Sequence, residues 1–179
     1  MSLDPIKMVQ QWFEEAIDAE PSTPEAMSLA TVDSKTGLPS LRLVLLRGVD
    51  ESGFVFYTNT KSRKGREIEK NSHVALALHW KSLGRQLRVE GVASKVSEAE
   101  ADKYFASRHR GSQIGAWASK QSHDLFSQSE LEKRVHEFSE KFKDSKVPRP
   151  QFWGGYLLKH EEVEFWSEGN FRLHHRLVY

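Results

Sequence analysis

The segment RLHHR, residues 172–176, places two arginines and two histidines within five positions. On a β-strand, side chains alternate between two faces, so Arg172, His174 and Arg176 would share one face and His175 would lie on the other. Diverging histidines in a chain without cysteine do not favour a metal site. Two guanidinium groups beside an imidazole suit a phosphate, a carboxylate or an electron-rich ring, although a solvated strand edge would also explain them.

A second basic cluster lies in the stretch TKSRKGREIEKN, residues 60–71. Ser62 is a predicted helix N-cap, which puts Arg63 and Lys64 in the first turn, where the helix dipole already contributes positive charge. Two cations at that end are unfavourable unless an anion such as phosphate lies beside them. A charged helix surface screened by water is the alternative interpretation.

A third cluster, KYFASRHRGSQIG, spans residues 103–115. We predict a helix that ends at Gly111, with Tyr104 and Arg108 on one face and Ser112 in the following turn. Phenol, guanidinium and hydroxyl groups can all donate to a phosphate. An arginine near a helix C-terminus is also favourable for dipole reasons alone, so this cluster is ambiguous by itself.

The fourth cluster is the strand-like run LRLVLLR, residues 41–47, which Arg42 and Arg47 bracket. Alternation puts these two side chains on opposite faces unless a bulge intervenes. Four separate basic clusters exceed what one phosphate needs, and they therefore predict two phosphorylated ligands. The net charge of +1 does not favour a nucleic acid or an anionic membrane as a partner.

Hydrophobic patterning predicts the elements that must position these clusters. An N-terminal helix from about residue 4 to 20 precedes a meander of three strands, and a hairpin around KSLG adds two more. Helices are expected to begin at Ser97 and Ser129, and three short strands, GGYLLKH, EEVEFWSE and FRLHHRLVY, follow the VPRP break. The pattern predicts a single domain, residues 1–179, that is mainly β (α+β). An antiparallel barrel or sandwich would have helices packed outside, and a Rossmann fold is not expected.

The absence of cysteine removes disulfides and thiolate chemistry, so any redox activity must come from a cofactor. Acidic residues occupy the positions where a signal peptide would be basic and apolar. No apolar run approaches membrane-spanning length. We therefore expect a cytoplasmic protein.

Eight segments resemble the pyridoxine (pyridoxamine) 5′-phosphate oxidase family: RLVLLR, FYTN, SRKG, RQLRVEG, YFASR, SQIGAWASKQS, FWGGY, and EFW followed by RLHHR. They occur in the family's order and spacing over almost the whole chain. The resemblance implies an FMN-binding split β-barrel, a homodimer with FMN at the subunit interface, and a part in pyridoxine biosynthesis. It also implies oxidation of pyridoxamine 5′-phosphate and pyridoxine 5′-phosphate to pyridoxal 5′-phosphate, by hydride transfer from C4′ to the flavin N5. O₂ would be the acceptor, H₂O₂ a product, and the amine would also release NH₃.

The resemblance further implies which residues carry this chemistry. The residues expected to hold FMN are Arg42, Tyr57, Thr58, Ser62, Arg63, Lys64, Gln86, Gln121, Ser122, Trp166 and Arg176. The residues expected to bind the substrate are Arg47, Tyr104, Arg108, Ser112, Arg172 and His174. Arg172 and His174 are also the expected catalytic pair, which would position the pyridine ring and stabilise charge as the C4′–H bond breaks. No metal ligand is expected.

Three departures from the family pattern leave two further functions open. The family usually has lysine where this chain has Arg47, and an acid where it has His175. The family's final strand, which ends in an Arg-Leu-x-Pro pattern, is expected to be absent. The two further functions are a non-catalytic split-barrel protein that binds FMN or pyridoxal phosphate, and a related flavin oxidase with another substrate.

Overall fold

The computed structural model of the protein describes residues 4–179. The helices are α1 (Pro5–Ala19), α2 (Arg63–Lys70), α3 (Glu98–Ser107), α4 (Arg110–Ala118) and α5 (Gln128–Lys141). The strands are β1 (Ala26–Val32), β2 (Pro39–Asp50), β3 (Gly53–Asn59), β4 (His73–Trp80), β5 (Arg85–Lys95), β6 (Trp153–Ser167) and β7 (His175–Val178). Short 3-10 helices span Lys81–Leu83 and Asn170–Arg172.

The chain divides into two compact units. The first comprises the chain up to Tyr57, Glu67–Ser94 and Tyr156–Tyr179, and the second comprises Thr58–Arg66 and Lys95–Gly155. The first unit contains α1 and most of the sheet, whereas the second contains the start of α2 together with α3, α4 and α5. The assignment of residues 1–179 to one domain stays a prediction.

The strands form a barrel. Their order is β3-β2-β1-β4-β5-β6-β7, and β3 also pairs with β6, so β1 to β6 close a ring that β7 extends. β1 pairs antiparallel with both neighbours, with Leu29 opposite Arg42 on β2 and opposite Leu76 on β4. The predicted meander and hairpin are both present, and the predicted fold class, an antiparallel barrel accompanied by helices, is confirmed.

The core of the first unit is built from alternate strand residues, because every second side chain of a strand points to the same face. β1 shows this alternation along its whole length. Buried core residues include Met27, Leu29, Phe54, Phe56, Leu76, Leu78, Leu87, Val89, Tyr156 and Leu158. Gly53, at φ +136°, marks a close approach of β3 to β6, since a Cβ there would overlap the carbonyl oxygen of Leu158.

Helix α1 begins as its sequence predicts. The Asp4 side chain accepts a hydrogen bond from the Ile6 N–H at 3.0 Å, and Ile6 is buried in the core. Trp12 packs edge-on against Phe165, with 5.0 Å between ring centroids, and the Arg85 guanidinium lies 4.7 Å from the Trp12 ring. These contacts attach the helix to the sheet through one apolar face.

Two element boundaries differ from the sequence predictions. GGYLLKH and EEVEFWSE belong to one continuous strand, β6, whose polar middle resembled a break in the sequence. Helix α5 begins after Ser127 and not after Ser129, because the Ser127 hydroxyl accepts from the Glu130 N–H at 3.2 Å. Ser127 and Glu130 have the same three-residue spacing as Ser129 and Glu132, which lie two positions later.

In the second unit, α4 and α5 pack through aromatic rings. The centroid of Trp117 lies 5.6 Å from that of Phe138 and 5.5 Å from that of Phe142. The aromatic contacts of α5 therefore lie at its C-terminal end, whereas Val135, one turn earlier, is exposed.

A buried tyrosine in the first unit has a pH-dependent effect on stability. Tyr156 stacks on Phe56, is 1% exposed, and its hydroxyl has no hydrogen-bond partner within residues 4–179. Burial, with a smaller contribution from the Glu69 charge, raises the pKa of Tyr156 to about 12. A tyrosine in the unfolded chain has a pKa of about 10, so the unfolded state loses this proton first and stability falls as pH rises from about 10 to about 12.

Replacing Tyr156 with phenylalanine should therefore flatten this decline. Below pH 9 the variant should be as stable as the wild type or up to about 1 kcal/mol more stable, since it removes an unsatisfied buried hydroxyl. Urea unfolding followed at several pH values between 8 and 11 measures both effects, with Tyr179→Phe as the matched control. A Tyr156→Phe curve parallel to that of the wild type would contradict the assignment.

Candidate functional site

Four polar side chains of the second unit meet at the start of α2, and we call Thr58, Ser62, Lys64 and Gln121 the Lys64 cluster. The Lys64 Nζ lies 3.2 Å from Thr58 Oγ1, 3.3 Å from Ser62 Oγ and 3.0 Å from Gln121 Oε1. Lys64 is 8% exposed and Ser62 is fully buried. Each hydroxyl group that accepts from the ammonium retains its own proton, which it can donate to a further acceptor.

The backbone brings two more predicted residues to this cluster. Ser62 caps α2 as predicted, because its carbonyl accepts from the Arg66 N–H at 3.0 Å and its hydroxyl from the Gly65 N–H at 3.4 Å. The Arg63 N–H donates to the Ser122 hydroxyl at 3.0 Å, and Ser122 adopts a left-handed conformation, φ 62°. Gly65 is required by space, since a Cβ at this position would overlap the carbonyl oxygen of Thr60.

In the first unit, Arg42 belongs to a hydrogen-bonded network. Its Nη1 donates to Thr31 Oγ1 at 2.6 Å and to the Leu29 carbonyl at 3.0 Å, while its Nη2 lies 3.4 Å from Glu67 Oε2. Glu67 Oε2 also accepts from the Ser40 hydroxyl at 2.6 Å. The network fixes the Arg42 guanidinium beside a carboxylate on α2.

A cleft of about 770 Å³ in the first unit brings together three predicted residues, Trp166, Arg172 and His174. The His174 ring packs on Trp166, with 4.6 Å between centroids. The Gly169 N–H donates to His174 Nδ1 at 3.3 Å, so a neutral His174 would have its proton on Nε2. This arrangement orients the imidazole for donation from a defined atom.

The predicted strand geometry of RLHHR is wrong for its first half. Residues 170–172 form a 3-10 turn, and β7 begins only at His175. Phe171 and Arg172 both have positive φ, 57° and 65°, in the left-handed region that non-glycine residues seldom occupy. Arg172, His174 and Arg176 therefore do not share a strand face. Consecutive left-handed residues at a cleft are a form of backbone strain that is often found at functional sites.

Arg176 lies on β7, opposite Trp166 of β6. Its Nη1 donates to both carboxylate oxygens of Glu164, at 3.0 and 3.1 Å, and Glu164 also accepts from Arg88 at 3.3 Å. The Glu164 side chain is therefore shared between two arginines.

The third basic cluster surrounds a tryptophan that the sequence prediction did not assign to the site. In the second unit, the Tyr104 ring is stacked nearly parallel on Trp153, with centroids 6.1 Å apart and planes 5° apart. The Arg108 guanidinium carbon lies 4.8 Å from the Trp153 centroid. The only sequence signal for Trp153 was its place in the FWGGY motif.

The helix predicted to end at Gly111 ends earlier. α3 stops at Ser107 with Arg108 as its C-cap, and a new helix, α4, starts at once because the His109 ring accepts from the Gly111 N–H at 3.2 Å. Ser112 thus lies in the first turn of α4, where its N–H bonds to the His109 carbonyl at 2.8 Å. The sequence prediction did not include a capping histidine.

The remaining predicted residues lie on strands. Arg47 is the extra residue of a bulge in β2, where the pairing with β3 shifts between Leu46 and Gly48, and it lines a cleft other than that of Arg172. Tyr57 lies in β3, and Gln86 lies in β5 opposite His79. The bulge allowed for by the sequence analysis is therefore present.

Two family models match the chain. One, described as pyridoxamine 5′-phosphate oxidase, covers residues 13–142. The other, described as the pyridoxine 5′-phosphate oxidase C-terminal dimerisation region, covers residues 153–179. Together they include the segments on which the resemblance was based, except Phe152 at the start of FWGGY.

Curated relatives agree with these matches. The pyridoxine/pyridoxamine 5′-phosphate oxidase of Rubrobacter xylanophilus is 54% identical over 98% of this chain and 81% of its own length. The protein of the same name from Brucella canis is 51% identical over 99% of this chain and 87% of its own length.

Solved structures share the fold. PhzG from Burkholderia lata, in complex with tetrahydrophenazine-1-carboxylic acid, aligns with a TM-score of 0.92 and 33% identity over 98% of this chain and 86% of that chain. A pyridoxamine 5′-phosphate oxidase-related, FMN-binding protein from Nostoc punctiforme aligns with a TM-score of 0.72 at 14% identity, which supports the fold alone. With two family models and relatives more than half identical over nearly its whole length, the chain belongs to the pyridoxamine 5′-phosphate oxidase family of oxidoreductases.

Proposed function

We propose that the protein is an FMN-dependent oxidase that converts pyridoxamine 5′-phosphate and pyridoxine 5′-phosphate to pyridoxal 5′-phosphate, with O₂ as the electron acceptor and H₂O₂ as a product. Oxidation of the amine also releases ammonia after hydrolysis. The observation that carries the proposal is the Lys64 cluster, a buried ammonium among hydroxyl groups at a helix start.

The chemistry of this cluster fits the phosphate of FMN. A phosphate accepts hydrogen bonds from ammonium, hydroxyl and backbone N–H donors, and the positive end of a helix dipole stabilises it. Thr58, Ser62, Arg63, Lys64 and Ser122 supply such donors within a few ångströms of one another. We assign these five residues, with Gln121, to the cofactor phosphate.

Bound FMN would supply the two-electron redox chemistry that the side chains of this chain lack. The other predicted flavin residues, Arg42, Tyr57, Gln86, Trp166 and Arg176, are proposed to bind the rest of the cofactor. Arg42 is already oriented by Glu67, Ser40 and Thr31, which is the kind of rigid support that a binding residue needs.

For the substrate, we propose that Tyr104, Arg108, Ser112 and Arg47 bind the phosphate group of the vitamer. Arg172 and His174 would position the pyridine ring, and the guanidinium would stabilise charge that develops when the C4′–H bond breaks. His174 holds its ring against Trp166 and can present an Nε2–H, which suits a hydrogen bond to a polar substituent of the ring.

We further propose a cytoplasmic homodimer with FMN at the subunit interface. The match of residues 153–179 to a dimerisation region supports the homodimer. Within residues 4–179, none of the helices is long and apolar enough to span a membrane.

A related flavin oxidase with another ring substrate is the second candidate. The observation that favours it is the similarity to PhzG, whose structure contains tetrahydrophenazine-1-carboxylic acid. That candidate does not explain the grouping of Tyr104 and Arg108 around Trp153, which the proposed vitamer phosphate would use.

Reconstitution with FMN followed by a peroxide assay tests the proposal. The protein should bind FMN in equimolar amount and release H₂O₂ with either pyridoxamine or pyridoxine 5′-phosphate. Full flavin loading without turnover of either compound would reject the proposed reaction and favour a binding protein. Failure to retain FMN would reject the cofactor assignment.

A further inference from the structure

A second cleft of the first unit is lined by apolar side chains together with one acidic and one basic residue. Its volume is about 460 Å³. The side chains Phe13, Ile17, Pro24 and Leu46 contribute the apolar lining, and Arg47 and Glu25 contribute the charges. Arg47 supplies the cationic group of this lining, so an anionic group that enters the cleft would bind there.

Arg47 and Glu25 face each other in this cleft. The Arg47 Nη1 lies 3.5 Å from Glu25 Oε1, and the two side chains are 33% and 25% exposed. The backbone sets the pairing, because the Leu46 N–H donates to the Glu25 carbonyl at 2.9 Å and Arg47 is the extra residue of the β2 bulge. The main chain therefore places the two residues next to each other.

We infer that Glu25 weakens substrate binding by competing with the anionic group of the substrate for Arg47. The inference rests on the proposed function, in which Arg47 binds the vitamer phosphate. A guanidinium forms its paired hydrogen bonds equally well with a carboxylate or a phosphate. A phosphate that accepts the paired hydrogen bonds of Arg47 therefore competes with Glu25, which then lies beside the phosphate as a like charge.

The expected size of the competition is modest, because the pair is partly exposed to solvent. An ion pair of this type should weaken the binding of a competing anion by about 3- to 5-fold. Glu25 would thus raise the KM without changing the chemical step, since it affects binding of the phosphate and not the reacting carbon.

The test is Glu25→Gln in the FMN-loaded enzyme, with Glu14→Gln on the exposed side of α1 as the charge-matched control. In Glu25→Gln the KM for pyridoxamine 5′-phosphate should fall by about 3- to 5-fold. The Kd for added pyridoxal 5′-phosphate, measured by the absorbance of that compound, should fall by about the same factor. The kcat and the FMN affinity should not change. Unchanged or weaker binding in Glu25→Gln would overturn the inference, as would an equal gain in Glu14→Gln.

A double-mutant cycle with Arg47→Gln locates the effect. If Glu25 acts through Arg47, Glu25→Gln should give no gain in the Arg47→Gln background. An equal gain in both backgrounds would show that Glu25 acts by long-range charge alone and would overturn the inference. Absence of turnover in the wild-type enzyme would instead reject the proposed function, whereas a normal wild type with an unresponsive Glu25→Gln rejects only the competition.

Discussion

Arg172→Ala is expected to slow reduction of bound flavin by pyridoxamine 5′-phosphate by about 100-fold, which is the scale of losing one well-placed transition-state contact. Arg172 lines the 770 Å³ cleft together with His174, and its backbone is left-handed. Anaerobic stopped-flow absorbance of the flavin measures the rate directly.

The same variant should retain its flavin, because the Lys64 cluster is untouched. Arg172→Lys retains the charge but not the planar fork, and its rate should lie between those of the wild type and Arg172→Ala. Loss of FMN from Arg172→Ala, with a normal rate after FMN is restored, would contradict the division between cofactor and substrate residues.

Lys64→Met is expected to weaken FMN binding by about 100-fold. The change removes a buried ammonium, and hydrogen bonds to charged groups contribute about 1.5–3 kcal/mol each. Methionine preserves the length and apolar stem of the side chain, so helix α2 should still form. Fluorescence titration of the apoprotein with FMN gives the dissociation constant.

Lys61→Met is the matched control, because Lys61 lies three residues earlier and is exposed. It carries the same charge change outside the cluster and should bind FMN within about twofold of the wild type, as expected for a screened surface charge. Equal weakening in both variants would mean that FMN responds to net charge alone and not to the Lys64 cluster.

The sequence predicted helix α2 and most of the strands because their signals are local. Ser62 as the cap of α2 follows from residue type and position, and the alternation of β1 follows from the period of a strand. The antiparallel barrel followed from short strands joined by tight turns.

Long-range contacts and unusual backbone conformations could not be predicted in the same way. The left-handed backbone of Arg172 is not indicated by its residue type, because non-glycine residues seldom adopt this conformation. Trp153 contacts Tyr104 and Arg108, which are far from it in sequence. The cap formed by His109 is likewise rare, since serine, threonine, aspartate and asparagine are the usual capping residues.

Individual site residues follow from local residue patterns, from the family resemblance, or from both. Ser62 and Lys64 follow from the second basic cluster, Gln121 follows from the family resemblance, and the three form one hydrogen-bonded group. Arg47 follows from the fourth basic cluster and from the resemblance, but its pairing with Glu25 has no signal in either local sequence.

We propose that one phosphorylated cofactor and one phosphorylated vitamer react on this chain. The most direct measurement is the visible absorbance of the FMN-loaded protein under anaerobic conditions while pyridoxamine 5′-phosphate is added. We predict that the yellow colour bleaches as the vitamer is oxidised and returns, with H₂O₂, when O₂ is admitted. A flavin band that remains unchanged at saturating vitamer would contradict the proposed oxidation of the vitamer by bound FMN.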